Sequence, residues 1–237
     1  MKEQVRKYMA QNARIFCITL SDAVKRSAEM NGLSAQDADL LGRLEVFACC
    51  IAALQKVEKA SVIARLSLPL RGEFAATADR DGLIRGLKEG PCDGTQVSLE
   101  VTLQLPLRGN YTGVVTGQDF DDLATGYFSR SLQIASVCRI FSAEQNFFCI
   151  VAEKLPGENC DLEGLCQGAC EAFPKGEVPE GFEFLESSDL KYGCTCSRAA
   201  LLRLVSALPA EDRAELSENG KIVTHCNACG KKYTFEV

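Results

Sequence analysis

Four of the 13 cysteines in this 237-residue chain stand close to its C-terminal end in two short pairs. Cys194-Thr195-Cys196 is followed, after 29 intervening residues, by Cys226-Asn227-Ala228-Cys229. Each pair can chelate from a single turn, and a fold between them would bring the pairs together. Four thiolates arranged this way suit one Zn2+ ion, which takes tetrahedral sulfur sets and has no redox chemistry of its own. Gly230, directly after the second pair, suits a tight knuckle turn because glycine accepts positive φ. His225, the only histidine, could replace a thiolate, but four cysteines already fill the site and it reads as a strand residue. Two chemistries remain open from spacing alone. The metal can be structural, pinning a domain end. It can also be a switch, since metal-bound sulfurs are thiolates, the form that oxidants attack. Oxidation within the pairs would then remove the module's main stabiliser.

The tail around these cysteines is small. It reads as helices at 198–208 and 211–216, a turn at Glu218-Asn219-Gly220, and strands at 222–225 and 233–235. Core packing in so short a module supplies about 3–5 kcal/mol at best. Structural zinc contributes roughly 10–16 kcal/mol of apparent binding free energy. The tail, residues 194–237, is therefore expected to fold only around its metal.

Upstream, residues 158–193 carry nine acidic side chains against two lysines, a local charge of −7 that leaves the rest of the chain near +1. Pro174 and Pro179 interrupt the stretch, and one helix is expected at 162–173. It reads as an inter-domain linker. Cys166 and Cys170 stand four apart on that helix, with Cys160 nearby; they read as drift at tolerant positions, with an added redox relay as the alternative.

Residues 1–157 read as an α+β domain, an antiparallel-rich sheet with packed helices. A helix is expected at 19–31, with Thr19 or Ser21 as its cap and Gly32 as its stop. A longer one follows at 35–57, capped by Ser34, with Leu40, Leu44, Phe47, Ile51 and Leu54 on one apolar stripe. Cys49 and Cys50 lie inside it and read as small buried hydrophobes. Strands are expected at 61–68, 73–78, 83–87, 97–105 and 111–116, then a helix at 119–132 and a hairpin of 137–142 with 147–152. The 97–105 strand alternates cleanly between Val97, Leu99, Val101, Leu103, Leu105 and polar neighbours, the mark of a sheet with one wet face. Helices and strands fall in blocks, which disfavours a doubly wound sheet.

Composition narrows the function. Net charge is −6 and no basic face is visible, which argues against a nucleic-acid partner. No apolar run is long enough to span a membrane, and the N-terminus lacks a signal-peptide core, so a cytosolic protein with reduced thiols is expected. No phosphate loop or nucleophile–base motif is present, so no enzyme is expected, although dispersed carboxylates could pair in a cleft.

The run from Cys194-Thr-Cys196-Ser to Cys226-Asn-Ala-Cys229-Gly-Lys-Lys-Tyr-Thr-Phe resembles the C-terminal end of the heat-shock protein 33 family, redox-regulated holdase chaperones of the bacterial cytosol. Gly32-Leu33-Ser34 leading to Leu41-Gly42-Arg43, Asp79-Arg-Asp-Gly82-Leu-Ile-Arg85-Gly86, Asp122-Leu123-Ala124 with Tyr127-Phe128, and Leu155-Pro156-Gly157 follow the family's order. The resemblance spans nearly the whole chain, and the cysteine motif is its specific part. It implies an N-terminal α+β domain for client binding and dimerisation, a linker and a zinc domain. It implies a chaperone that is inactive when reduced and zinc-bound. Oxidation would form the disulfides Cys194–Cys196 and Cys226–Cys229 and release zinc. The linker would then unfold, and the oxidised form, a homodimer, would hold unfolded clients. The chain is short for the family, with the missing length after Pro91 and in the linker.

Overall fold

The computed structural model describes every residue except Asp93, Glu158, Thr195, 227–230 and Val237. It divides into two compact units, Met1–Tyr192 and Gly193–Val237. The first unit opens with strands β1 (Gln4–Ala10) and β2 (Ala13–Leu20), then helices α1 (Asp22–Met30) and α2 (Ala35–Leu54). Strands β3 (Ser61–Leu68), β4 (Gly72–Asp79), β5 (Leu83–Lys88), β6 (Val97–Leu105) and β7 (Gly109–Gly117) follow. After α3 (Phe120–Gly126) and a π-helical turn (Tyr127–Leu132) come β8 (Ser136–Ala143) and β9 (Asn146–Lys154). The unit closes with α4 (Leu162–Ala172), β10 (Glu183–Asp189) and β11 (Lys191–Tyr192).

Two sheets result, ordered β10-β1-β2-β9-β8 and β11-β5-β4-β3-β6-β7. Every pairing is antiparallel except the two-residue parallel pairing of β11 with β5. This is the α+β, antiparallel-rich class that the block pattern indicates. Helix α2 lies between the sheets, touching β2, β8 and β9 on one side and β3, β4 and β5 on the other. Its middle is therefore buried nearly all round, Cys49 and Cys50 included, and the apolar stripe expected at 35–57 is only part of its buried surface. Gly42 lets β9 come close: a Cβ there would stand 2.5 Å from the Phe147 ring. Ser34 caps the helix as expected, accepting from the Asp37 amide at 3.2 Å.

Three sequence expectations change. The helix expected at 19–31 begins at Asp22, because Thr19 belongs to β2, where it is fully buried. Ser21 sits at the N-cap without using its side chain; the Glu3 carboxylate accepts from the Ser21 and Ala23 amides instead, both at 2.8 Å. The helix expected at 119–132 loosens after Gly126 into the π turn and ends at Gln133, which has φ 55°. Strands β1 and β2 have no counterpart among the elements read from the sequence.

Residues 158–193 hold more structure than the helix read in them. Helix α4 covers the face of the first sheet opposite α2. There Cys166, Ala169 and Phe173 join Tyr8, Ile15 and Ile150 in a second core cluster, and the Tyr8 and Phe173 rings stack at 5.2 Å. Strand β10 then pairs along β1. The acidic charge meets basic partners here: Lys7 pairs with Glu186 and Lys2 with Asp189, each at 2.7 Å, and Arg139 pairs with Glu163. Leu190, buried, carries the chain across to β11, where the Lys191 amide donates to the Gly82 carbonyl at 2.9 Å. Gly82 has φ +87°, and a Cβ there would lie 2.2 Å from the Asp189 carbonyl oxygen.

The second unit holds α5 (Arg198–Ala207), α6 (Ala210–Glu215) and a hairpin of β12 (Lys221–His225) with β13 (Lys232–Glu236). Among its described residues only Ile222, Tyr233 and Phe235 are buried.

Candidate metal centre

The site grows from both ends of this small unit. Cys194 and Cys196 lie on the extended chain just before α5, whose start is fixed by Ser197 accepting from the Ala200 amide at 3.1 Å. Arg198, in the first turn of α5, reaches the hairpin: its guanidinium donates to the Thr234 carbonyl at 2.5 Å and lies 4.7 Å from the centre of the Phe235 ring. That contact ties the first cysteine pair to β13. Cys226 directly follows β12, and its amide donates to the Lys231 carbonyl at 2.9 Å, closing that end of the hairpin.

The sulfurs of Cys194, Cys196 and Cys226 converge within 4.8 Å of one another, the only such cluster of metal-ligating side chains among the described residues. The Cys194 and Cys226 sulfurs are 3.6 Å apart. Tetrahedral zinc with Zn–S bonds of about 2.3 Å places neighbouring sulfurs ~3.8 Å apart, so this contact matches one edge of a metal tetrahedron. It joins one pair to the other, as a shared ion requires. The Cys196 amide approaches the Cys194 sulfur at 3.4 Å, a backbone donor of the kind that steadies metal-bound thiolates. Three of the four sequence-predicted ligands are thus brought together; Cys229, the fourth, lies outside the described residues. His225 occupies β12 opposite Lys232 and stays out of the cluster.

One participant escapes sequence reading. The Tyr233 hydroxyl is 3.1 Å from the Cys196 sulfur and also donates to the Cys196 carbonyl at 3.4 Å. The aromatic strand after the second pair therefore does more than pack: its hydroxyl reaches the first pair. A tyrosine 37 positions from its cysteine leaves no local pattern to find.

These features meet a match in known proteins. The model of the Hsp33 protein family matches residues 3–236. The chain belongs to the Hsp33 family. Its relatives include the 33 kDa chaperonin of Thermoanaerobacter sp. (strain X514), 24% identical over 283 residues, covering all of this chain and 96% of the relative. The 33 kDa chaperonin of Symbiobacterium thermophilum is 28% identical over 240 residues, covering 82% of this chain and 80% of the relative. These relatives are named as chaperonins, not as enzymes. The crystal structure of the Thermotoga maritima 33 kDa chaperonin, an Hsp33 homologue, superposes with a TM-score of 0.79 at 16% identity, covering all of this chain and 95% of the other. That likeness extends the family fold to both units of this short Hsp33.

No described helix is long and apolar enough to cross a membrane.

Proposed function

We propose that this Hsp33 is a cytosolic, redox-regulated holdase. It is zinc-bound and quiescent when reduced, and binds unfolded client proteins when its C-terminal cysteines are oxidised. The observation that carries the reading is the convergence of Cys194, Cys196 and Cys226 in a unit whose described residues bury only Ile222, Tyr233 and Phe235. Cys229, three residues after Cys226, supplies the fourth sulfur. A bound zinc ion would hold all four sulfurs as thiolates and cross-link the two ends of the unit.

The thiolates perform the switch. One of each pair attacks a hydroperoxide and becomes a sulfenic acid as hydroxide leaves. Its neighbour then attacks that sulfur and expels a second hydroxide. Each thiolate pair, in forming the disulfide Cys194–Cys196 or Cys226–Cys229, gives two electrons to one peroxide molecule. The ligand set is thereby lost, and with it the main stabiliser of residues 194–237. In this reading residues 1–157 bind clients and dimerise in the oxidised state, and residues 158–193 transmit the change. No nucleic-acid or membrane partner is assigned.

The test is aggregation of a heat-denatured client enzyme with reduced or peroxide-treated protein, with zinc release followed by a chromogenic chelator. Protection only after oxidation, with about one zinc released per chain, is expected. Equal protection by both forms, with zinc retained, would leave a structural metal and constitutive client binding. No protection by either form would remove the chaperone.

A further inference from the structure

Helix α4 carries Cys166-Gln167-Gly168-Ala169-Cys170, two thiols one turn apart and remote in sequence from the metal-centre cysteines. Their environments differ. Cys166 is buried in the second core cluster, and its thiol also approaches the Ile150 carbonyl at 3.8 Å. Cys170 is half-buried and lines a surface pocket with Cys138, Arg139, Phe141 and Gln167. The two thiols stand one turn apart on α4 and influence each other's protonation.

The neighbouring Cys166 thiol, with help from Arg139, lowers the Cys170 pKa against burial and against Glu163 and Glu171. Cys170 in turn keeps the proton on Cys166, whose burial acts in the same direction. One thiol is therefore reachable and thiolate-prone, and the other is protonated and one helical turn away. Reactive cysteines with a resolving partner have this arrangement.

We propose that Cys166 and Cys170 form a second, independent redox couple in the first unit, with Cys170 as the peroxide-reacting thiolate and Cys166 as the resolving thiol. The Cys170 sulfur attacks a hydroperoxide oxygen, forming a sulfenic acid and releasing hydroxide or alkoxide. The Cys166 sulfur then attacks the Cys170 sulfur. Its proton and the sulfenic hydroxyl leave as water, and a disulfide remains. Two electrons pass from the dithiol to the peroxide.

Geometry allows the bond. Residues four apart on a helix have Cα atoms ~6 Å apart, from a rise of 1.5 Å per residue, inside the disulfide range of about 4.4–6.8 Å. Their Cβ atoms, ~5–6 Å apart on a regular helix, must close by ~1 Å. Gly168, between the two cysteines, makes that turn of α4 easier to deform.

The test uses the full-length reduced protein. It is exposed to limiting hydrogen peroxide, its remaining thiols are blocked with N-ethylmaleimide, and it is cleaved after glutamate. Cleavage after Glu163 and Glu171 releases Gly164–Glu171, which holds Cys166 and Cys170 and no other cysteine. The fragment is expected to accumulate unalkylated and lighter by two hydrogens. In Cys166→Ala, Cys170 is expected to take up the sulfenic-acid probe dimedone. In Cys170→Ala, Cys166 is expected to remain alkylatable after denaturation at the same dose. Recovery of the fragment doubly alkylated at doses that oxidise Cys226 would overturn the couple. So would its capture in a cross-link to a peptide bearing Cys138 or Cys160, or dimedone labelling of Cys166 in Cys170→Ala as fast as that of Cys170 in Cys166→Ala. None of these outcomes depends on client protection, so failure here is separable from failure of the chaperone reading.

Discussion

The two units of this Hsp33 solve the problem of staying folded in opposite ways. Met1–Tyr192 wraps two sheets around one central helix and builds a second cluster beneath α4, so its stability is spread over many buried side chains. Gly193–Val237 buries three of its described side chains and gathers its sulfurs instead. A unit of the first kind loses stability in increments as contacts are removed. In the function proposed above, a unit of the second kind would hang on a single bond set and could be switched by chemistry that leaves the first unit intact. Sulfur is used both ways within one chain. Cys17, Cys49, Cys50 and Cys149 are sealed away from solvent, where burial pushes their pKa values up, to about 11 for Cys17 against the pull of Arg6.

The contrast is most sharply tested at the proposed metal ligands. Cys226→Ser, or chelation of the wild-type protein, is expected to remove most of the roughly 10–16 kcal/mol that a structural zinc contributes. Amide hydrogen exchange would then show residues 194–237 fully exchanging while α2 and the first sheet keep their protection. A tail that stays protected without metal would break the comparison. The converse experiment is Phe173→Ala, which opens a cavity beneath Tyr8. It is expected to cost the first unit about 3–5 kcal/mol in denaturant unfolding, with the zinc content of the chain unchanged.

Glu45 gives the third test. It is fully buried on α2, accepts from the Ser27 hydroxyl at 2.5 Å, and has its pKa pushed up to about 8 by burial, against that hydrogen bond and with Glu3 adding to the rise. The folded chain therefore holds a proton that the unfolded chain releases near its ordinary value of 4.5. Its contribution is intact below that pH and is lost progressively as pH rises towards 8, becoming flat above it. Glu45→Gln is expected to flatten this slope and to stabilise the first unit by about 2–3 kcal/mol at neutral pH. A wild-type unfolding curve with no slope over this range would show that Glu45 folds as an ion. The smallest effect belongs to Tyr233→Phe. Loss of the hydroxyl beside Cys196 is expected to weaken the second unit by about 1 kcal/mol, seen as faster zinc loss to a competing chelator.

The same contrast explains what could be read from sequence. The cysteine pairs stand out because ligand spacing is local, and the Ser34 cap and the alternating β6 because their periods are local. Strand β2 was hidden because it is buried on nearly every residue, under α2 on one face and α4 on the other, so Arg14-Ile-Phe-Cys-Ile-Thr-Leu20 shows no alternation. Strand β10 was hidden for the opposite reason. Glu-Phe-Leu-Glu-Ser-Ser-Asp is exposed throughout and is a strand only because its backbone pairs with β1. The acidic composition of 158–193 reads as a solvated linker and masks the apolar face of α4, where Cys166, Ala169 and Phe173 are buried. The Glu3 cap on α1 and the Tyr233 contact join residues far apart in the chain, and nothing in a local window signals them.

The passage from β10 through Leu190 to β11 has a mechanical consequence. A pull applied at Gly193 meets first the two-residue grip of β11 on β5, which is the weakest fastening in the sheets, and only then the longer ladder of β10 on β1. Strain from the tail would peel the strap from its loose end inward. Each rung released would bare more of the β1 edge, beginning with the backbone of Gln4 and Val5 and reaching Tyr8 and then Met9 last.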